Sequence, residues 1–100
     1  MKKYIYGTLD SVTGIPSDLS VAANDAEFSR GFAQSLAQLL PMFIPDITGY
    51  CYGELEYGSD PGMPPLLHGY GVPRRVISGS EGIRLYQDVI AGLSEDNADE

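Results

Sequence analysis

Apolar and polar residues alternate over the first positions of the chain. Successive side chains of residues 2–9 fall on opposite faces, one with Tyr4, Tyr6 and Thr8 and the other with Lys3, Ile5, Gly7 and Leu9. A period of two with aromatic and β-branched residues predicts a strand. A turn-rich segment with Gly14 and Pro16 follows, and the apolar run at 19–23 predicts a second strand.

The spacing becomes helical after residue 23. Asn24 followed by Glu27 predicts an N-cap with a capping box, and Gly31 lowers helix propensity within the same segment. Apolar side chains then recur every three or four positions, at Phe28, Phe32, Leu36 and Leu39. We interpret this stripe as the buried side of a helix, which Pro41 ends.

The second half of the chain predicts two further elements separated by a loop. The aromatic run at 49–57 indicates a third strand, and the Gly- and Pro-rich stretch at 58–71 indicates a loop. A short fourth strand is expected at 72–78, and helical spacing returns at 80–93.

These elements predict one α+β domain over residues 1–93, followed by an acidic disordered tail at 94–100. The expected fold is a small, mostly antiparallel sheet with one or two helices packed on one face.

The excess of acidic residues argues against nucleic acid as a partner and favours basic protein surfaces. Fourteen acids against six Lys and Arg give a formal net charge of −8, which repels phosphate backbones and favours basic surfaces. We therefore expect no tight direct nucleic-acid binding. Clustering of Lys2, Lys3, Arg74 and Arg75 in space would overturn that expectation.

The cysteine content and the lengths of the apolar runs predict a cytoplasmic protein. One cysteine permits no internal disulfide, and no apolar run approaches the roughly 20 residues of a membrane-spanning helix. Gly7 and Asp10 interrupt the apolar stretch after the two N-terminal lysines, so no signal peptide is expected. One Cys and one His offer no metal-ligand spacing, and we expect neither a metal nor another cofactor.

Two carboxylates in the third strand are the first candidates for chemistry. Glu54 and Glu56 share a strand face about 6.6–6.8 Å apart, within the range of inverting glycosidases, about 6.5–9.5 Å. Every strand with this spacing has the same geometry, so a solvated face is the favoured interpretation. A small enzyme using Glu54, Glu56 and His68 stays an alternative.

A second candidate lies where the fourth strand meets the second helix. Free amides at a helix N-terminus attract anions, and two arginines precede them, which defines a candidate anion site of Arg74, Arg75, Ser78, Gly79 and Ser80. The favoured alternative is that Ser78 caps the helix with Glu81 as its capping-box partner.

The tyrosines suggest a contact surface. Tyr is enriched at protein interfaces. Two pairs of tyrosines each share a face of a predicted strand, Tyr4 with Tyr6 and Tyr50 with Tyr52. Because small sheets have open edges and faces, we expect these residues to form the interface of a homo-oligomer, with a dimer the commonest form.

The order of segments resembles the small nonstructural protein of gokushovirus-type microviruses, which are single-stranded DNA phages. That family tends to begin with a Tyr/Ile strand and a turn, which Asp10 and Gly14 match. Its helix signature is approximated, with different spacing, by Asn24, Asp25, Glu27, Arg30 and Phe32. The aromatic run at 50–60 is similar to its later strand. The resemblance covers about residues 2–60, and the region from Pro61 onward departs from it.

The resemblance implies a non-enzymatic phage accessory protein. It links the chain to phage DNA replication or to the switch to single-stranded genome synthesis, and it implies no catalytic carboxylates. The expected partner is a phage or host replication or packaging protein. A second alternative is an acidic DNA mimic that inhibits a host defence protein, which the charge of −8 motivates.

Overall fold

A four-stranded antiparallel sheet carries both α-helices of the described chain. The computed structural model describes residues 1–58 and 60–98. In chain order the elements are β1 (Lys2–Asp10), β2 (Ser20–Ala22), α1 (Asp25–Leu36), a 3-10 helix (Pro41–Asp46), β3 (Ile47–Glu56), β4 (Leu66–Ser78) and α2 (Gly79–Ala98). The strand order is β2-β1-β3-β4, and every neighbouring pair is antiparallel. The predicted α+β class is confirmed.

The core forms between the sheet and the helices. One cluster contains Phe32 and Leu36 of α1 with Ile44 and Ile77, and the other contains Tyr6, Ala22 and Cys51. The Phe28 ring joins them, since it stacks on Tyr6 at 4.4 Å between centroids and packs against both clusters. The α1 stripe predicted from spacing is therefore the buried side of the helix as far as Leu36.

The start of α1 follows its local sequence. The Asn24 side chain accepts a 2.8 Å hydrogen bond from the Glu27 amide, and the Glu27 carboxylate accepts one of 2.8 Å from the Ala23 amide. The helix ends at Leu36, earlier than the stripe predicted. Leu40, which precedes Pro41, is extended, because a residue before proline is disfavoured in the helical region.

The prediction of a loop over residues 58–71 is wrong in its second half. β4 begins at Leu66, and residues 66–69 pair with residues 53–56 of β3. β4 lies at the edge of the sheet and its register shifts between residues 69 and 74. An edge strand with a bulge accommodates Gly71 and Pro73. Gly71 has no side chain to pack and Pro73 has no amide hydrogen to donate, but at the edge of the sheet neither breaks hydrogen bonding between two inner strands.

α2 begins with the predicted cap. The Ser78 hydroxyl accepts a 3.1 Å hydrogen bond from the Glu81 amide and donates one of 3.0 Å to the Glu81 carboxylate. The helix continues to Ala98, past the end of the domain expected at residue 93. No proline or glycine lies between Leu93 and Ala98 to stop it. Residues 99–100 of the predicted tail lie outside the described residues, and disorder of the tail stays a prediction.

The molecule is flat. Its extents are 49 × 40 × 17 Å and its radius of gyration is 16.2 Å, whereas a compact chain of this length has about 13 Å. The short dimension fits one sheet covered by one layer of helices, since a helix with its side chains is about 10–12 Å across. None of the described helices is both long and apolar enough to cross a membrane.

Candidate functional surfaces

The four tyrosines predicted to form one interface lie on two faces of the sheet. Tyr6 is 0% exposed and Tyr4 packs beside it on the helix side. The prediction that Tyr6 contributes to an interface is therefore corrected, since a fully buried ring offers no contact surface. A Cβ at Gly7, the residue after Tyr6, would lie 3.1 Å from the Tyr52 ring. Tyr50 pairs with Gly7, so Tyr50 and Tyr52 both lie on the side away from the helices.

We call this helix-free side of the sheet the outer face. The pairing of strands assigns residues to it in rows that include Ile5 with Val21, Gly7 with Tyr50, and Leu55 with Leu67. Leu19 lies over Gly7 beside Tyr52. Leu19, Val21 and Leu67 are exposed, and Tyr50 and Tyr52 are partly exposed. The outer face is therefore mainly apolar and aromatic.

The opposite side of the same strands carries the carboxylates considered as catalytic candidates. Glu54 accepts a 3.2 Å hydrogen bond from the Tyr70 hydroxyl, and its carboxylate lies 3.5 Å from the Lys2 ammonium. Glu56 lies 3.1 Å from His68 Nε2. The structure thus brings together Glu54, Glu56 and His68, which the sequence only suggested as a group.

The arrangement of this group favours structural pairing over acid–base chemistry. Glu54 already contacts two donors, while Glu56 and His68 are each about half exposed, with side-chain exposures of 49% and 52%. A catalytic acid normally needs burial or a charged neighbour that favours its protonated form. Burial raises the pKa of the nearby Tyr70 phenol to about 12, and its hydrogen bond to Glu54 adds to this. Tyr70 therefore keeps its proton at neutral pH and donates a hydrogen bond to Glu54.

The candidate anion site is not assembled as predicted. Arg74 pairs with Cys51 on the helix side, whereas Arg75 pairs with Tyr50 on the outer face. Arg74 donates to Asp25 at 2.8 and 3.0 Å, and Arg75 forms a short ion pair with Glu81. Both guanidinium groups are therefore engaged by carboxylates, and the capping interpretation of Ser78 is confirmed.

Sequence reasoning missed an apolar ridge between α1 and β3. We define the ridge as residues 39–43, all of which are exposed, with Met42 at 71%. The ridge borders a groove of about 480 Å³, lined in part by Leu36, Leu39, Pro41, Ile44 and Ile83. The signal in the sequence is an apolar run, LLPMF, in a connector where turn residues are usual.

Comparison with protein-family models, with curated proteins and with solved structures finds no match for this chain.

Proposed function

We propose that the protein is a non-enzymatic, protein-binding accessory protein that works as a homo-oligomer in the cytoplasm of a host cell. Its partner is a phage or host protein of the replication or packaging machinery. The phage context and the class of partner come from the resemblance to the gokushovirus-type nonstructural protein. The phage context and the class of partner are tested by the same experiment as the apolar ridge.

The apolar ridge at residues 39–43 carries this proposal. Contiguous exposed apolar side chains are rare on soluble monomers and usually mark contact sites. Met42 is a flexible side chain that adapts to a partner surface, and Leu40 is 62% exposed. The adjoining groove offers room for an apolar side chain of the partner. Since the chain has a net charge of −8, a partner with basic residues around its apolar contact is favoured.

The two alternatives have less support from the described side chains. A DNA mimic needs a row of free carboxylates, yet several acids are paired with bases, in Asp25–Arg74, Glu54–Lys2 and Glu81–Arg75. An enzyme using Glu54, Glu56 and His68 has its residues in one place, but on an open surface. If Glu54 were catalytic, Glu54→Gln would abolish the function while leaving partner capture intact, and Glu56→Gln would do the same if Glu56 were catalytic.

The first prediction tests the ridge. The tagged full-length chain, expressed in bacteria infected with a microvirus, should capture a replication or packaging protein that is quantified by mass spectrometry. Met42→Glu places a charge in the contact and should reduce capture at least about tenfold, because an unpaired charge is costly to bury. The captured protein is then purified and its affinity for each variant is measured by calorimetry.

Met63→Glu is the matched control, since Met63 is the same residue type at similar exposure, in the loop before β4. It should capture the partner as well as the unchanged chain does. Melting temperatures of both variants verify that the fold is intact. Equal capture by Met42→Glu and Met63→Glu would reject the ridge, and a partner outside replication and packaging would reject the proposed context.

A further inference from the structure

The sheet carries apolar and aromatic side chains on its outer face as well as in the core beneath the helices. In an antiparallel sheet with one solvated face, outward positions are normally polar, whereas strands buried on both faces are continuously apolar. Here the outward positions of β1 include Ile5, Gly7 and Leu9, and those of β3 include Tyr50 and Tyr52. This composition is typical of a sheet that is covered on its second side.

The charges on the outer face favour a second copy of the same chain as the cover. Two copies with a net charge of −8 each repel one another, so they can approach most closely where carboxylates are sparse. Among the described strand residues that pairing assigns to the outer face, Lys3 and Arg75 are basic and none is acidic. The Glu81 carboxylate of α2, which reaches this face, is paired with Arg75. Glu54 and Glu56 pair with Tyr4 and Lys2 and so point to the other side.

The area of the outer face is also of the right order. Three strands about 4.8 Å apart and about ten residues long, with a short fourth, cover roughly 500 Å² in projection. The accessible area is larger than the projection, because side chains rise from the sheet. Standard interfaces bury about 800 Å² per partner, so most of the outer face would be used by one symmetric contact.

We propose that two copies of this chain pack outer face against outer face, giving a four-layered dimer with both sheets inside and the helices outside. Two sheets stacked about 10 Å apart would bury the tyrosines and the exposed Leu19 and Val21. This inference specifies the proposed homo-oligomer. It leaves the apolar ridge, which lies in another segment, free for the partner.

Sedimentation of the purified full-length chain tests the dimer. We expect a dimer at tens of micromolar and at least about tenfold weaker self-association for Val21→Glu, which places a charge in the buried layer. Val89→Glu is the matched control, because Val21 and Val89 are 50% and 53% exposed and Val89 lies on α2. The control should dimerise like the unchanged chain. Leu19→Glu repeats the test outside the strands if Val21→Glu fails to fold, which circular dichroism detects.

The outcomes distinguish whether the chain dimerises at all from whether the outer face is the dimer interface. An unchanged chain that is monomeric at this concentration overturns the dimer without affecting the capture experiment on the ridge. A dimer that survives both Val21→Glu and Leu19→Glu overturns the outer face as its interface. Dissociation by Val89→Glu alone would place the contact on the helices and also contradict the proposal.

Discussion

At the scale of single residues, one carboxylate connects three elements. Asp25, the first residue of α1, accepts two hydrogen bonds from Arg74 of β4 and one of 2.7 Å from the buried Tyr6 hydroxyl of β1. Asp25→Asn should lower the free energy of unfolding by about 1–2 kcal/mol, since the ion pair with Arg74 is lost, though nearly half exposed, and the hydrogen bond from Tyr6 loses its charge assistance. Asp88→Asn, on exposed helix surface, is the control and should have no effect. Chemical denaturation measures both.

The same contact predicts a pH dependence. The Arg74 guanidinium holds the pKa of the Asp25 carboxyl below its usual value of 3.8, against an opposing effect of burial, and the Tyr6 hydroxyl lowers it further. A carboxyl with a lowered folded-state pKa stabilises the fold fully above its unfolded pKa and loses that contribution as the pH falls through the folded value. The difference in stability between the unchanged chain and Asp25→Asn should therefore be constant near neutrality and shrink below about pH 4. A difference that grows on acidification would contradict this assignment.

Contacts between residues close together in the sequence could be predicted, whereas contacts between distant residues could not. The caps at Asn24 and Ser78 could be predicted because each partner lies three residues away. The Asp25–Arg74 contact spans 49 positions and has no sequence signal of its own. Alternation placed Tyr4 and Tyr6 on one face, but a period of two does not say which face the helices cover.

At the scale of elements, the junction between the 3-10 helix and α2 depends on a glycine. A Cβ at Gly79 would lie 1.7 Å from the Ile44 carbonyl oxygen, a backbone atom that cannot move without shifting the 3-10 helix. Gly79→Ala should therefore destabilise the fold by about 2 kcal/mol or more. Gly31→Ala, in α1, is the matched control, because its Cβ would have nothing within 4 Å. It should stabilise by up to about 1 kcal/mol through helix propensity. Thermal melts that move both variants in the same direction would reject this account.

The same scale shows why element boundaries were harder to predict than element types. The four strands and two α-helices of the described chain were expected, since the sequence marks them by hydrophobic period or by short apolar and aromatic runs between turn residues. The start of β4 was missed because Gly69 and Gly71 are turn residues by composition. Their tolerance depends on β4 being an edge strand with a bulge, a property of the whole sheet rather than of the segment.

At the scale of the whole molecule, the overall charge and the positions of the bases oppose nucleic-acid binding. Single-strand binders combine stacking aromatics with a positive groove. The outer face has the aromatics, but its bases are few: Arg75 is paired with Glu81, and the Lys3 ammonium lies 5.7 Å from the centre of the Tyr57 ring. On the helix side, Lys2 and Arg74 each contact a carboxylate.

We therefore predict no tight binding to single-stranded DNA at physiological salt. A basic groove would release counterions and bind strongly at low salt, whereas a chain with a net charge of −8 repels the strand at long range. Fluorescence anisotropy with a labelled oligothymidine, measured at about 50 and 200 mM salt, tests this. A submicromolar affinity that weakens steeply between the two conditions would show that the paired bases exchange their carboxylates for phosphates. The outer-face dimer should give the same result as the monomeric Val21→Glu variant, because the proposed dimer covers the tyrosines and the monomer exposes them without adding bases.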